Sequence, residues 1–447
     1  MRLESALNRR RFLQSSSALA AAVSVLPIHS ALATAANEKV VVGLMGAGGR
    51  GWTLAGFFAK RPDVELAYVC DPDSRRLPAA QKVVTDAKGK TPKAVQDFRQ
   101  MLEDKSVDAV IIATPDHWHG LGTILACQAG KDVYVEKPLA HNLWEGRKMI
   151  EAARKYERVV QVGTQSRSAP YTREAVEFIR NGQLGEVYLV RVFNMMPMSK
   201  HKPIQEQKVP DGLDYDMWCG PAPELPYDPN RAWLDYWEYS CGAIPGDAIH
   251  QLDLARALIG DPIAPETVCH AGGVCALRDD REIPDTQFVT YEYGKITLLL
   301  EAGLWTPYMK KTPIQLRDVD EYPNWAFNAT RVEVLGTRNM MYFGRHGDGW
   351  QVFDADWKQI AGAPGKQSDH EHIENFIQCI RSRARPIADV EQGHRSTLLS
   401  HLANISYRVG NQKLRFDAAS ETFPKSAEAN QYLRRSYRVP WVVPDKV

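Results

Sequence analysis

The sequence contains few cysteines, and its N-terminal apolar run is short. Its 447 residues include seven cysteines, at positions 70, 127, 219, 241, 269, 275 and 379, with no C-x-x-C pair. This odd, scattered set argues against a disulfide framework and against a zinc site. The apolar run from Ser15 to Leu26 is well short of the ~20 residues that cross a bilayer, so no stable membrane anchor is expected.

A strong charge of one sign is also missing. The formal net charge is +1, and the first 35 residues contribute +3 of it through four arginines against one glutamate. The remainder of the chain therefore carries −2. A nearly neutral body offers no basic face to a polyanion, so nucleic-acid binding is not expected.

The N-terminus has the parts of an export signal. Arg9-Arg10-Arg11-Phe12-Leu13 precedes the apolar run, and Ala31-Leu32-Ala33 and Ala33-Thr34-Ala35 are candidate cleavage sites. The arginine pair with Phe12-Leu13 at this offset resembles a twin-arginine leader. The resemblance predicts a cleaved signal over residues 1–35, contact with the twin-arginine export machinery, and a folded protein delivered to the periplasm or another extracytoplasmic space. An ordinary basic first helix is the alternative.

Strands alternate with helices from Lys39 onwards. Helical stretches at 120–129 and 143–156 separate short apolar runs that end in turns. This alternation predicts an α/β fold with a doubly wound parallel sheet, in an N-terminal domain over residues 36–162. The predicted strands are 40–45, 64–70, 107–113, 132–135 and 159–162.

The pattern changes after about Gly163. A predicted helix at 171–181 leads to a β-rich run at 187–193, and further strands follow closely. Neighbouring strands without intervening helices predict a large open, mainly antiparallel sheet in a C-terminal α+β domain over 163–447. The tail around Trp441 is expected to lie along the surface. The further predicted strands are near 266–278, 286–293, 295–303 and 331–343.

A glycine-rich turn follows the first predicted strand. Gly46-Ala47-Gly48-Gly49-Arg50-Gly51 matches G-x-G-x-x-G, and Asp71 ends the next strand 20 residues after Gly51. Such glycines allow a pyrophosphate to sit on a helix N-terminus, and Asp71 would accept hydrogen bonds from ribose hydroxyls. The carboxylate would repel a 2′-phosphate and so favours NAD, while Arg75 and Arg76 leave NADP open. Glycine packing without a nucleotide is the alternative.

Several further motifs, in combination with this turn, carry a family resemblance. They are Thr114-Pro115-Asp116-His117-Trp118-His119, Glu136-Lys137-Pro138-Leu139-Ala140, Gly163-Thr164-Gln165-Ser166-Arg167 and the stretch from Gly242 to Asp253. Over about residues 39–417 the chain resembles the Gfo/Idh/MocA oxidoreductases (glucose–fructose oxidoreductase, inositol dehydrogenase and relatives). The resemblance implies a Rossmann domain, a C-terminal domain whose sheet often serves homo-oligomerisation, and hydride transfer between a nicotinamide and a carbon of a sugar or cyclitol.

Two motifs supply the expected catalytic residues. Lys137 follows a strand's carboxyl end, where its ammonium can hold a substrate hydroxyl and stabilise developing alkoxide charge. His250 would remove the hydroxyl proton. The family places an aspartate four residues before this histidine; here that residue is Gly246, and Asp247, three residues before His250, is expected to substitute. A surface lysine, a packed histidine and a helix-capping aspartate are the alternatives.

The remaining candidates follow from the resemblance and from an aromatic cluster. The expected cofactor contacts include Thr114, Pro115, His119, Glu136, Lys137 and Gln165. The expected substrate contacts are Arg167, Tyr171, Trp233, Tyr236 and His250. His119 as a packed side chain, and the aromatic cluster as hydrophobic core, are open alternatives. The histidine pairs 117/119 and 370/372 have no third ligand nearby, so no metal is expected.

Three functions fit these residues. The first is an NAD(P)-dependent oxidoreductase acting on a CH–OH carbon of a sugar, glycoside or cyclitol, with its cofactor held tightly because free NAD is scarce outside the cytoplasm. The second is a glycoside hydrolase that uses NAD transiently, through oxidation, elimination, water addition and reduction. The third is a non-catalytic nucleotide-binding relative, which the presence of both Lys137 and His250 disfavours. The nearly neutral body fits an uncharged carbohydrate.

Overall fold

A computed structural model describes residues 39–447 apart from residues 199 and 232. The predicted leader, residues 1–35, lies outside the described residues. Residues 40–447 pack together as one unit. Within the described part of the chain, every helix is too short or too polar to span a membrane.

The first sheet contains six strands, all parallel, in the order β3-β2-β1-β4-β5-β6. The strands are β1 Val40–Met45, β2 Val64–Cys70, β3 Lys93–Val95, β4 Ala109–Ile112, β5 Asp132–Val135 and β6 Val160–Val162. The helices that follow them are α1 Gly49–Lys60, α2 Leu77–Lys88, α3 Arg99–Glu103, α4 His119–Gln128 and α5 Leu143–Lys155. The predicted doubly wound parallel sheet is confirmed.

The short edge strand β3 was not predicted. Its three residues include one buried side chain, so no apolar run marks it. The central strands β4 and β5 are buried along their whole length because helices cover both faces of the sheet. The strand order reverses between β1 and β4, and in open parallel sheets this is the place where a crevice forms beyond the strands' carboxyl ends.

The second sheet has nine strands in the order β14-β13-β12-β11-β7-β10-β9-β8-β15. All neighbours are antiparallel except β7 and β10, so the expected mainly antiparallel sheet is confirmed as a mixed one. The strands are β7 Val187–Met195, β8 Thr267–Gly273, β9 Thr286–Tyr293, β10 Ile296–Gly303, β11 Arg331–Gly336, β12 Met340–Gly344, β13 Trp350–Phe353, β14 Gln359–Ala363 and β15 Leu414–Arg415. The remaining helices are α6 Pro170–Arg180, α7 Tyr215–Cys219, α8 Ile249–Leu258, α9 Asp369–Ser382, α10 Val390–Arg408 and α11 Ala427–Asn430.

One face of the second sheet packs on helices and the other carries exposed aromatic side chains. Leu252 of α8 and Leu399 of α10 share a core with inward residues of the strands such as Val289. Tyr188 and Phe288 are exposed on the strands. The region 331–343, expected as strand, forms the hairpin β11–β12, which turns where the Gly336 amide donates to the Asn339 carbonyl.

The later part of the chain returns to the first sheet. Phe376 of α9 packs edge-on against Phe58 of α1 at 6.3 Å between ring centroids. Trp441 of the tail packs against Trp118 at 5.2 Å, and Val443 is fully buried in the same core. The expected surface position of the tail is therefore wrong, because its apolar residues fill a gap beside Trp118.

Candidate functional site

A cleft of about 530 Å³ opens at the carboxyl ends of β1 and β4 and is closed on its other side by residues that follow the second sheet's strands. Many of the predicted site residues meet here. Those that line the cleft are Gly46, Gly48, Gly49, Arg50, Asp71, Thr114, Pro115, Glu136, Lys137, Gln165, Trp233 and His250.

The glycine turn between β1 and α1 is shaped for close backbone contact. Gly46 has φ +96°, and a Cβ there would lie 2.6 Å from the Ala113 carbonyl oxygen. A Cβ on Gly51 would lie 1.8 Å from the Gly46 carbonyl oxygen. The first turn of α1 has no acidic side chain and no side-chain cap at Gly48, so its amide groups can bind an anion.

Asp71 stands at the end of β2 and holds the glycine turn. Its Oδ2 accepts the Ala47 amide at 2.8 Å and its Oδ1 accepts the Asp73 amide at 2.9 Å. Burial raises the pKa of Asp71 in spite of these bonds. Of the two arginines that follow, Arg75 pairs with Asp73 at 2.7 Å. Arg76 reaches the same carboxylate at 3.5 Å and lines the cleft.

Glu136 is fixed by donors from two parts of the chain. Arg50 Nε lies 2.7 Å from Glu136 Oε1, and Gln165 Nε2 donates to the same oxygen at 3.2 Å. The Arg50 Nη2 group also reaches Asp369 Oδ1, at the start of α9, at 3.2 Å. Arg50 thus joins the first sheet to α9, and Glu136 is positioned by these bonds.

Lys137 and His250 face the same space from the two sheets. Lys137 comes two residues after β5, and its Nζ donates to the Gly246 carbonyl. His250, near the start of α8, is 5% exposed and lines the cleft. Burial first of all, and then the charges of Arg345 and Lys137, hold the pKa of His250 well below its usual 6.5. Its imidazole is therefore neutral at neutral pH, which is the proton-accepting form.

Asp247 lies behind the cleft, on a π-helical turn over Ile244–Ala248. Its Oδ1 accepts from Lys311 Nζ at 2.8 Å and from Arg345 Nη1 at 2.9 Å, and its Oδ2 is buried without a partner among the described residues. Burial would raise the pKa of Asp247, but Arg345 and Lys311 outweigh it and hold that pKa well below its usual range. The expected contact with His250 is replaced by these ion pairs, and Asp247 acts on the imidazole through its charge.

Three predicted substrate residues do not line the cleft. The Arg167 guanidinium forms a buried ion pair with Asp253 at 2.8 Å and a second, partly exposed one with Asp261 at 2.9 Å. The Tyr171 hydroxyl donates to the carbonyl oxygens of Gly344 and Arg345, each at 3.2 Å. Tyr236 is buried, with the Arg231 guanidinium over its ring at 5.0 Å. These positions correct the expected cleft contacts, since ion pairs use Arg167, hydrogen bonds use Tyr171, and the ring of Tyr236 is packed inside the domain. The Tyr236 hydroxyl has no partner among the described residues.

Two predicted cofactor residues, His119 and Gly51, lie next to the cleft but do not line it. The ring nitrogens of His119 lie 2.6 Å from the Pro138 carbonyl oxygen and 3.0 Å from that of Thr114. His119 therefore links the turns after β4 and β5 and does not itself line the cleft. Gly51 allows the close approach of α1 to the glycine turn.

Several lining residues were missed by sequence reasoning. Arg317 comes from the long connection between β10 and β11, and Arg345 and His346 follow β12 directly. Trp218 and Asp369 also line the cleft. Arg317, Arg345 and His346 stand in no local motif, and only the folding of the second sheet brings them to the cleft, so the sequence carried no signal for them. Trp218 lies on α7, and Asp369 is the first residue of α9.

Comparison with known proteins agrees with this geometry. Residues 40–164 match a family model described as an oxidoreductase family with an NAD-binding Rossmann fold. Residues 193–272 and 337–443 match the same family's C-terminal alpha/beta domain. The chain belongs to the Gfo/Idh/MocA oxidoreductase family.

Curated relatives are similar over part or most of their length. An uncharacterized oxidoreductase, YrbE of Bacillus subtilis, is 23% identical over 51% of this chain and 56% of its own. The scyllo-inositol 2-dehydrogenase (NAD(+)) of Bacillus subtilis is 26% identical over 73% of this chain and 81% of its own. A glycosyl hydrolase family 109 protein of Stenotrophomonas maltophilia is 38% identical, but only over 29% of this chain and 30% of its own.

Solved structures show the same fold. The WlbA dehydrogenase of Bordetella pertussis, in complex with NADH and UDP-GlcNAcA, superposes with a TM-score of 0.62 at 21% identity, over 85% of this chain and 99% of that one. At this identity the likeness establishes the fold alone.

Proposed function

We propose that this family member is an NAD(P)-dependent dehydrogenase acting on a CH–OH carbon of a sugar, glycoside or cyclitol. One observation carries the proposal. An ammonium group, Lys137, and a neutral imidazole, His250, line the same cleft as a glycine turn and a carboxylate that fit a dinucleotide. The relatives named as inositol dehydrogenases support the carbohydrate class.

The dinucleotide would be held by this chain's own groups. The amides of the first turn of α1 suit the pyrophosphate, and the Asp71 carboxylate suits the ribose hydroxyls. We propose NAD in preference to NADP because Asp71 would repel a 2′-phosphate, with Arg76 as the cation through which NADP could still bind. When bound, the nicotinamide supplies hydride acceptance or donation.

The protein performs the proton chemistry. Lys137 Nζ would hold the substrate hydroxyl oxygen and stabilise negative charge as it develops there. The hydroxyl proton would pass to a ring nitrogen of His250, which is free to accept it because its pKa lies well below 6.5. Asp247, with its negative charge nearby, would stabilise the imidazolium that forms.

The proposal also covers where the protein is located, how tightly it binds its cofactor and whether it forms oligomers. The leader-like residues 1–35 support export by the twin-arginine route to the periplasm, and residues 36–162 and 163–447 would act as cofactor and substrate domains. A protein exported already folded would carry its NAD tightly bound. The exposed aromatic face of the second sheet supports a homo-oligomer. Detection of the protein in periplasmic extracts tests the proposed export. Mass spectrometry of the purified protein tests whether NAD is bound and whether the chain forms a homo-oligomer.

Replacement of Lys137 tests the proposed function. We expect Lys137→Ala to lower kcat for NAD⁺ reduction about 100-fold or more, because the alkoxide loses its cation, while NADH still binds. The measurements are absorbance at 340 nm with a panel of sugars and energy transfer from tryptophan to NADH. Lys425→Ala, at an exposed lysine, is the matched control.

Three results would contradict the proposal. NAD⁺ reduction that is equal in wild type and Lys137→Ala would indicate that the lysine has no role. Release of an aglycone from glycosides without net NADH would identify the glycoside-hydrolase reaction. Binding of NADH without any turnover would identify a non-catalytic nucleotide-binding relative.

A further inference from the structure

Several positive groups line the cleft where the second sheet's residues meet Lys137. We call the lining residues Lys137, His250, Arg317, Arg345 and His346 the substrate end. Three of these five side chains are cationic. Asp247 balances the charge of Arg345. An uncharged sugar would leave Lys137 and Arg317 without an ion-pair partner among the described residues.

The carboxylates near the substrate end are held by other donors. Asp247 is paired with Lys311 and Arg345. The carboxylate of Asp348 accepts from Thr312 Oγ1 and from Asn328 Nδ2 at 3.1 Å. Asp369 accepts from Arg50 and from Gln367 Nε2 at 2.7 Å. None of these acids forms an ion pair with Arg317 within the described part of the chain.

The donors at the substrate end are only partly used. Arg317 donates from Nε to the Thr312 carbonyl at 3.0 Å, and its two terminal nitrogens have no acceptor among the described residues. Arg345 donates from one terminal nitrogen to Asp247, and the other has no acceptor in residues 39–447 as far as they are described, that is, without 199 and 232. His346 Nε2 is buried and has no partner among the residues that the structure describes. The guanidinium groups of Arg317 and Arg345 line the cleft, where a ligand can accept from them. The buried His346 Nε2 is costly to leave without a partner, so a ligand that completes it would be favoured.

We propose that the substrate carries an anionic oxygen group, a carboxylate or a phosphate, which Arg317 and Arg345 bind. Guanidinium groups bind paired anionic oxygens in a planar fork, which a neutral hydroxyl cannot match. The substrate class would then be an acidic sugar, such as a uronic acid or a sugar phosphate. This inference rests on the proposed dehydrogenase function and narrows its substrate.

Matched sugars test the anionic group. D-glucose, D-glucuronate and D-glucose 6-phosphate differ only at C6, and so do the corresponding galactose compounds. We would measure kcat/KM for NAD⁺ reduction with each, and also the shift in melting temperature that each causes, with and without NADH. We expect one acidic member to exceed the neutral sugar by about ten-fold or more in kcat/KM, as a charge-assisted pair requires.

Replacement of Arg317 connects this preference to the structure. Arg317→Gln should reduce the acid-to-neutral ratio of kcat/KM by about ten-fold or more, mainly by raising KM for the acidic sugar. Arg415→Gln, the same change on the exposed face of β15, should keep the wild-type ratio. A preference for the uronate or for the phosphate identifies which anion is bound.

The outcomes separate this inference from the proposed function. Turnover of neutral sugars with no acidic preference, or a ratio that Arg317→Gln leaves unchanged, overturns the anion site and leaves the dehydrogenase intact. A chain that binds no NADH contradicts the dehydrogenase. In that case the melting shifts without nucleotide still decide the anion site, and equal shifts for acidic and neutral sugars overturn it.

Discussion

At the scale of single residues, the charge state of His250 depends on its neighbours. Its burial and the positive charges of Arg345 and Lys137 lower its pKa, while Asp247 acts in the opposite direction. The neutral imidazole is the form that accepts a proton, so activity falls when the pH drops through this pKa. A lowered pKa therefore extends full activity to lower pH.

The pH dependence of activity follows from the directions of these shifts in the pKa of His250. The acid limb of kcat/KM should lie below the usual 6.5 in wild type. Arg345→Gln removes a positive charge, so the pKa of His250 should rise and the acid limb should move to higher pH. Steady-state rates between about pH 4 and 9 measure the shift. An acid limb at the same pH in both proteins would show that Arg345 does not act on His250.

Single residues also show what the sequence could predict. Lys137 and His250 stand in short motifs, and the structure places both in the cleft. Arg167 stands in a motif too, but its contacts are with Asp253 and Asp261, which local reasoning could not pair with it. Arg317 and Arg345 lie in connections whose position depends on the second sheet, so no local pattern identifies them.

At the scale of elements, the connection between β1 and α1 is the tightest part of the candidate cofactor site. A Cβ on Gly51 would lie 1.8 Å from the Gly46 carbonyl oxygen, so any larger residue must displace the helix. Since the first turn of α1 is the proposed pyrophosphate site, such a displacement acts directly on nucleotide binding.

Gly51→Ala should therefore weaken NADH binding about ten-fold or more, with a stability loss of about 1–3 kcal/mol from overpacking. Fluorescence titration with NADH and urea unfolding measure the two effects. Gly56→Ala, in the same helix, brings a Cβ only to 3.3 Å from the Val83 methyl group and should leave NADH affinity near wild type. Equal affinities in wild type and both variants would show that the turn does not bind nucleotide.

The regular elements were largely predictable because their patterns are local. Apolar runs mark the buried strands β4 and β5, and the alternation with helices marks a parallel sheet. The edge strand β3 was missed because one buried residue leaves no pattern. The parallel pairing of β7 with β10 joins strands that are not neighbours in sequence, and the pattern within each strand does not specify its partner.

At the scale of the whole molecule, the C-terminal tail ties the second half of the chain to the first sheet. Trp441 is 7% exposed and packs against Trp118, which lines the cleft, and Phe98. Arg435 donates to Glu145 at 3.0 Å and to the His117 carbonyl at 2.9 Å. The tail thus supports the wall of the cleft from behind.

Trp441→Ala should destabilise the protein by about 3–5 kcal/mol, since a large buried side chain is replaced by a cavity. Val439→Ala, two residues earlier at a side chain that is 79% exposed, should have little effect. Urea unfolding followed by circular dichroism compares them. Equal midpoints for both variants would place the tail outside the folded core.

The net charge of the molecule does not show where its charged residues lie. The formal +1 of the chain fits a neutral ligand, yet the substrate end of the cleft is lined by Lys137, Arg317 and Arg345. Composition sums charges that the fold separates, so the ligand's charge follows from the cleft and could not be read from the total.

Transfer of deuterium from substrate to nicotinamide tests the central claim most directly. Acidic and neutral sugars deuterated at their ring carbons would be incubated with the enzyme and NAD⁺, and the reduced nucleotide analysed by mass spectrometry. The account predicts NADH one mass unit heavier from wild type, and none from a Lys137→Ala, His250→Ala double variant that still binds NADH. Reduced nucleotide without deuterium, or equal label from the double variant, would contradict it.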